Sequence, residues 1–136
     1  MSEASTIVIV GLGYVGLPLA VALAEHGRVT GFDLDPQRIA ELRAGHDRTR
    51  EVPSERLEAS SVALTADAAD CAGADVYIVT VPTPIDTDNE PDLGPLIAAS
   101  RAIAVALDSG SSPLFAFRPR SRWQSATNLR SLAGHC

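Results

Sequence analysis

Thr6-Ile7-Val8-Ile9-Val10-Gly11-Leu12-Gly13-Tyr14-Val15-Gly16 is the stretch on which the fold turns. Its first five residues are an unbroken, mostly β-branched apolar run. Such a run reads as a strand buried on both faces, as in a parallel sheet. Three glycines at positions 11, 13 and 16 follow, and then a mostly apolar helix is expected over 14–26, with Pro18 near its start and Gly27 as its stop. A strand, a G-x-G-x-x-G turn and a helix in that order have a physical meaning. Gly11 permits the tight turn, Gly13 lets a pyrophosphate approach the backbone, and Gly16 lets helix and strand pack closely. The unpaired N–H groups and the dipole of the helix start attract phosphate.

An acid belongs about twenty residues further on. Asp33 lies 22 residues after Gly11, at the end of a second apolar stretch, residues 28–33. Its carboxylate is placed to accept from the adenine ribose hydroxyls and to repel a 2′-phosphate, so NAD is expected rather than NADP. Arg38 nearby works in the opposite direction, since an Arg can accommodate a 2′-phosphate, but Asp33 at the strand end carries more weight.

Beyond Asp33 the pattern alternates. Asp35-Pro36 opens a helix that Gly45 ends. Residues 46–61 are polar and mixed, with a short helix at 54–59. A short strand is expected at 62–65, a turn or short helix at 66–72, and a clear strand at 75–81 that Pro82-Thr83-Pro84 stops. After an acidic loop, Asp92 caps a helix over 93–108 whose apolar positions include Leu96, Ile103 and Leu107. Leu114 to Phe117 reads as one more strand, with little regular structure after it. Strands alternating with helices predict an α/β, Rossmann-type, doubly wound parallel sheet. Only its first half plus a fourth strand and helix are expected, followed by an irregular C-terminal tail.

Composition narrows the function. The chain has 136 residues, 46% of them hydrophobic, which suits one domain with an ordinary core. A net charge of −6 argues against a nucleic-acid partner. No run is long and apolar enough to span a membrane, and Met1-Ser2-Glu3-Ala4-Ser5 lacks the basic cluster of a signal peptide. Cys71 and Cys136 have no metal-ligand spacing and read as reduced thiols, so a cytoplasmic protein is expected. Neither matches a catalytic motif. No catalytic residue and no metal site is assigned: Asp86, Asp88, Glu90 and Asp92 read as a solvated loop with a helix cap, and His26, His46 and His135 as surface residues.

Ile7 to Ala20 (IVIVGLGYVGLPLA), Gly31 to Pro36 (GFDLDP) and Ile78 to Leu93 (IVTVPTPIDTDNEPDL) together resemble the UDP-glucose/GDP-mannose dehydrogenase family. Within it, VPTP followed by EPDLGPLI looks most like the branch acting on UDP-N-acetylhexosamines, with N-acetylglucosamine 6-dehydrogenases closest in appearance and N-acetylmannosamine dehydrogenases next. The resemblance covers about residues 6–108. It implies cofactor contacts at Tyr14 and Val15 (backbone to the pyrophosphate), Asp33 (ribose), Arg38 (adenosine end) and Thr83 (nicotinamide side), beside Gly11, Gly13 and Gly16. It also implies oxidation of a sugar primary alcohol to the carboxylate for polysaccharide biosynthesis, with two NAD molecules used in succession. A cysteine thiolate turns the aldehyde into an adduct that can give up hydride. Homo-oligomers are implied for full-length relatives.

The sequence leaves that pattern near residue 109. Residues 1–108 hold 7 Arg and all 17 acids, whereas residues 109–136 hold 4 Arg and no acid. The Glu-Ser-Thr segment and the catalytic cysteine region of the family do not occur in this sequence. The expected organisation is therefore an NAD-binding domain over 1–108 and an aberrant tail over 109–136, read out of frame or from a truncated gene. A divergent natural tail is the alternative.

Overall fold

The computed structural model describes residues 5–81, 84, 85, 87–104, 106 and 112–115. Five strands form one all-parallel sheet: β1 (Thr6–Val10), β2 (Arg28–Phe32), β3 (Ala63–Thr65), β4 (Val76–Val79) and β5 (Ser112–Phe115). Their order is β3-β2-β1-β4-β5. The chain thus winds outward from β1 in one direction through β2 and β3, then returns to β1's other side. Among the described residues the helices are α1 (Gly16–Ala24), α2 (Pro36–Arg43), α3 (Ser54–Ala59) and α4 (Gly94–Ala104), and a 3-10 turn covers Ala68–Cys71. This is the doubly wound α/β sheet that the alternating pattern predicts.

The central strand shows why its run is continuously apolar. Val8 and Val10 point into a core shared with Phe32, Tyr77 and Val79 and closed by Leu96, Ala99 and Ile103 of α4. Ile9, on the opposite side, packs with Leu17 and Val21 of α1 and with Ile39 and Leu42 of α2. Both faces are covered by helices, so a polar residue in β1 would be stranded on either side. Asp75 clamps the bottom of the strand: its N–H donates to Thr6 O at 2.9 Å, and its Oδ2 accepts from Thr6 N at 2.8 Å.

Several boundaries differ from the sequence reading, each for a local reason. Helix α1 starts at Gly16, not at residue 14, because the chain turns through Gly13–Val15 before the helix closes. It ends at Ala24 with Glu25 as C-cap, and Gly27 does not take the left-handed conformation that would make it the stop. Gly45 does: its φ of 81° lets the end of α2 close, with His46 N donating to Glu41 O at 2.9 Å. Asp35 caps α2 by accepting from Gln37 N at 3.0 Å, and Asp92 accepts from Gly94 N at 2.8 Å at the start of α4. The last strand runs over 112–115 rather than 114–117, in register with β4 from Val76↔Ser112 to Val79↔Phe115. The sheet's fifth strand therefore comes from beyond residue 108. Pro113 has no N–H to donate, which an edge strand tolerates. Leu107, and the expectation of little regular structure after Phe117, lie outside the described residues.

Candidate functional site

The winding reverses between β1 and β4, and the carboxyl ends of these strands diverge there. Open parallel sheets bind ligands in that crevice. A cleft of about 360 Å³ occupies it, walled by the glycine turn, the end of β2, the start of α2, Arg48 and Thr49, Thr80, and one side of α4. That volume falls in the range of small-molecule sites.

The glycine turn is held from three sides. Gly11 has a φ of 95°, which only glycine adopts without strain, and its N–H donates to Phe32 O at 2.8 Å. Its carbonyl accepts from Thr80 Oγ1 at 2.8 Å. Leu12 N donates to Asp33 Oδ2 at 3.0 Å, and Leu12 O accepts from Arg38 Nε at 2.9 Å. The three glycines then separate by role. A Cβ on Gly16 would overlap the Gly11 carbonyl oxygen and the Thr80 hydroxyl, so the fold itself requires glycine there. A Cβ on Gly13 would meet nothing within 4 Å, so no contact among the described residues requires glycine at 13. A requirement there would come from something that fills the open space. Tyr14 and Val15 are exposed beside it, at the start of α1, and no side chain caps that helix. The first N–H groups of a helix have no partner within it.

Asp33 stands half-buried at the end of β2 and lines the cleft. Beside its bond to Leu12 it accepts from Asp35 N at 3.0 Å through Oδ1. A carboxylate accepts about four hydrogen bonds, so capacity is left for a ligand hydroxyl. Arg38 also lines the cleft but is not a free surface cation. It is 4% exposed, and its Nη2 lies 2.8 Å from Asp47 Oδ1. Thr83 lies outside the described residues.

Two residues that matter to this geometry were not singled out in the sequence. Thr80 reads there as one more strand residue, yet its hydroxyl secures the glycine turn. Asp47 lies in the mixed polar stretch 46–61. Its carboxylate accepts from Arg38 Nη2, Thr49 N, Thr49 Oγ1, Glu51 N and Val52 N at 2.7–3.0 Å. Burial alone would push this carboxyl up. The side chains of Thr49 and Arg38 and the Val52 and Thr49 N–H groups outweigh burial and hold it well below the usual carboxylate range. Asp side chains commonly accept from the backbone N–H two residues on, as Asp47 does from Thr49, and that is the one local hint of this role. Cys71 is buried, and burial, helped by Asp70 and Asp67, pushes its thiol up to about 11. It stays protonated near neutrality and is a poor nucleophile.

A Rossmann-type sheet with a glycine turn and an acid at the end of β2 defines a dinucleotide-binding domain. Residues 5–112 match the model of the UDP-glucose/GDP-mannose dehydrogenase family, NAD binding domain, and the chain belongs to that family. It is 48% identical over 110 residues to UDP-N-acetyl-D-glucosamine 6-dehydrogenase of Pseudomonas aeruginosa, covering 80% of this chain and 26% of the relative. Among solved structures it is similar to UDP-D-ManNAc dehydrogenase of Pyrococcus horikoshii, with a TM-score of 0.71 and 31% identity over 82% of this chain and 28% of that one. It is also similar to a UDP-glucose dehydrogenase of Pyrobaculum islandicum, with a TM-score of 0.72 and 26% identity over 85% of this chain and 29% of that one. The chain spans about a quarter of the length of the curated relative. No helix among the described residues is long and apolar enough to cross a membrane.

Proposed function

We propose that the cleft binds NAD and that this chain is the N-terminal nucleotide-binding part of a cytoplasmic enzyme that oxidises the primary alcohol of a UDP-N-acetylhexosamine to the uronic acid. Bound NAD would supply the hydride acceptor for that oxidation. The residues present fit it. The open space over Gly13 and the bare start of α1, with Tyr14 and Val15, receive the pyrophosphate, with Gly11 and Gly16 shaping the turn. Asp33 accepts from the adenine ribose hydroxyls with its remaining lone pairs. Arg38 lies at the adenosine end, and the resemblance to the family assigns Thr83 to the nicotinamide side. The single observation that carries the reading is the pairing of an unobstructed Gly13 with a partly used Asp33 carboxylate in one cleft.

The sugar assignment, N-acetylglucosamine before N-acetylmannosamine or glucose, is supported by the 48% identity to the N-acetylglucosamine 6-dehydrogenase. The second oxidation step needs a thiolate, and Cys71, buried with its thiol raised, does not supply one. A non-catalytic NAD-binding module is therefore the second reading for the 136-residue chain.

Titration of the chain with NAD and with NADP, followed by amide chemical shifts, tests the proposal. NAD is expected to bind with a dissociation constant weaker than micromolar, to shift residues 11–16 and 33, and to be preferred to NADP. NADP binding as well as NAD would refute the assignment of Asp33. Incubation with UDP-N-acetylglucosamine and NAD is expected to yield no NADH, and sustained NADH formation would refute the non-catalytic reading.

A further inference from the structure

Arg38 presents an imbalance that the fold does not resolve. Nε is spent on the Leu12 carbonyl and Nη2 on Asp47. Nη1 is buried and has no hydrogen-bond partner among the described residues. A buried, charged donor without an acceptor is uncommon and costly. The side chains of Arg38 and Asp47 are 5% and 1% exposed, so bulk water does not readily relieve it, and Arg38 borders the cleft.

Asp47 is what keeps the guanidinium in this position. Its Oδ1 takes Nη2 and Thr49, while its Oδ2 takes the Glu51 and Val52 N–H groups. The carboxylate is thereby fixed from the backbone side and cannot swing to follow Arg38. The planar fork of the guanidinium then leaves its third nitrogen in a set direction. The same carboxylate orders the segment carrying Arg48 and Thr49, which form part of the cleft wall.

We propose that Asp47 is a positioning residue for cofactor recognition: it locks Arg38 between the glycine turn and the 47–52 segment, so that Nη1 is matched only when the adenosine portion of a dinucleotide fills the cleft. This rests on the dinucleotide reading of the cleft. Asp47 also neutralises Arg38. With the pair intact, Arg38 acts as a hydrogen-bond donor and offers little net charge to a 2′-phosphate, which leaves Asp33 to exclude NADP. Asp47 thus sets part of the NAD preference without touching the cofactor.

The test compares the 136-residue chain with Asp47→Asn, Arg38→Lys and the double variant, each titrated with NAD and NADP by amide chemical shifts. Asp47→Asn is expected to weaken NAD binding about tenfold. It should narrow the NAD-over-NADP ratio about fivefold, the size of one unit charge acting across a partly screened site. Arg38→Lys should weaken NAD to a similar degree, and the double variant no further, because both changes break one device. A merely structural Asp47 would lower both cofactors alike and leave the ratio unmoved. An unchanged ratio, or additive losses in the double variant, would overturn the proposal. Should Asp47→Asn not fold, Asp47→Glu, which keeps the charge but displaces it, carries the same expectation for NAD affinity and for non-additivity with Arg38→Lys. A wild-type chain that binds neither cofactor would overturn the underlying reading of the cleft, and the inference with it.

Discussion

The two ends of the cleft are built on opposite plans. At the end proposed for the adenosine the protein supplies nearly every contact itself: Asp33 accepts from two backbone N–H groups, Arg38 spans Leu12 and Asp47, and Asp47 accepts five hydrogen bonds. At the end proposed for the pyrophosphate there is almost nothing. Gly13 faces open space, no side chain caps α1, and Tyr14 is 70% exposed. The crowded end is ordered before any ligand arrives. The bare end is complete only with one. Preorganisation is thus concentrated where hydrogen-bond direction discriminates between cofactors, and space is left where an anion needs only N–H groups and a dipole.

Three measurements would break or sharpen this contrast. The largest effect is expected for Gly16→Ala, because the added Cβ overlaps the Gly11 carbonyl and the Thr80 hydroxyl. Overpacking against backbone should cost about 3 kcal/mol or more of stability, read by urea unfolding. A loss under about 1 kcal/mol would show that the turn is softer than described.

The next concerns acid. The folded-state pKa of Asp47 lies below its ordinary value of 3.8. Its ionised form therefore adds stability that is fully present above about pH 4 and lost as pH falls below it, at up to about 1.4 kcal/mol per pH unit. Asp47→Asn has no such proton to take up, so its stability profile should be flatter in that window. Parallel profiles would place the depressed carboxyl elsewhere.

The smallest change in stability belongs to Gly13→Ala. Its backbone is not left-handed and its Cβ meets nothing, so stability should hold or rise by up to about 1 kcal/mol. NAD binding should nevertheless fall at least about tenfold, or roughly 1.4 kcal/mol. A variant that binds as well as the original would remove the ligand from this end.

Much of the fold was legible in the sequence because it is written in local pattern. The apolar run of β1 follows from burial on both faces, and Asp35-Pro36 and Gly45 mark α2 through capping and a positive φ. The end of α1 was misplaced because Gly27 suggests a stop that Glu25 already provides within the helical conformation. In the site, the glycine spacing and Asp33 could be read because a strand, a turn and a helix fix them relative to one another. Asp47 and Thr80 could not. Their roles arise from contacts 9 and 69 residues away in the chain; Asp47 sits in no periodic segment, and Thr80 reads as one more residue of its strand. Arg38 was visible as a candidate cofactor residue through the resemblance, but its buried ion pair with Asp47 was not.

The position of β1 has a consequence for how the molecule is assembled. It lies at the centre of the sheet, yet its two neighbours come from very different distances, Thr6 pairing with Arg28 on one side and Ile7 with Val76 on the other. During synthesis β1 and β2 can meet early, while the other edge of β1 stays open until some seventy residues have emerged. Loop closure of that length makes the second pairing the slow one. A nascent chain therefore carries an unpaired, apolar strand edge while those seventy residues emerge, the interval in which such a chain is most exposed to aggregation.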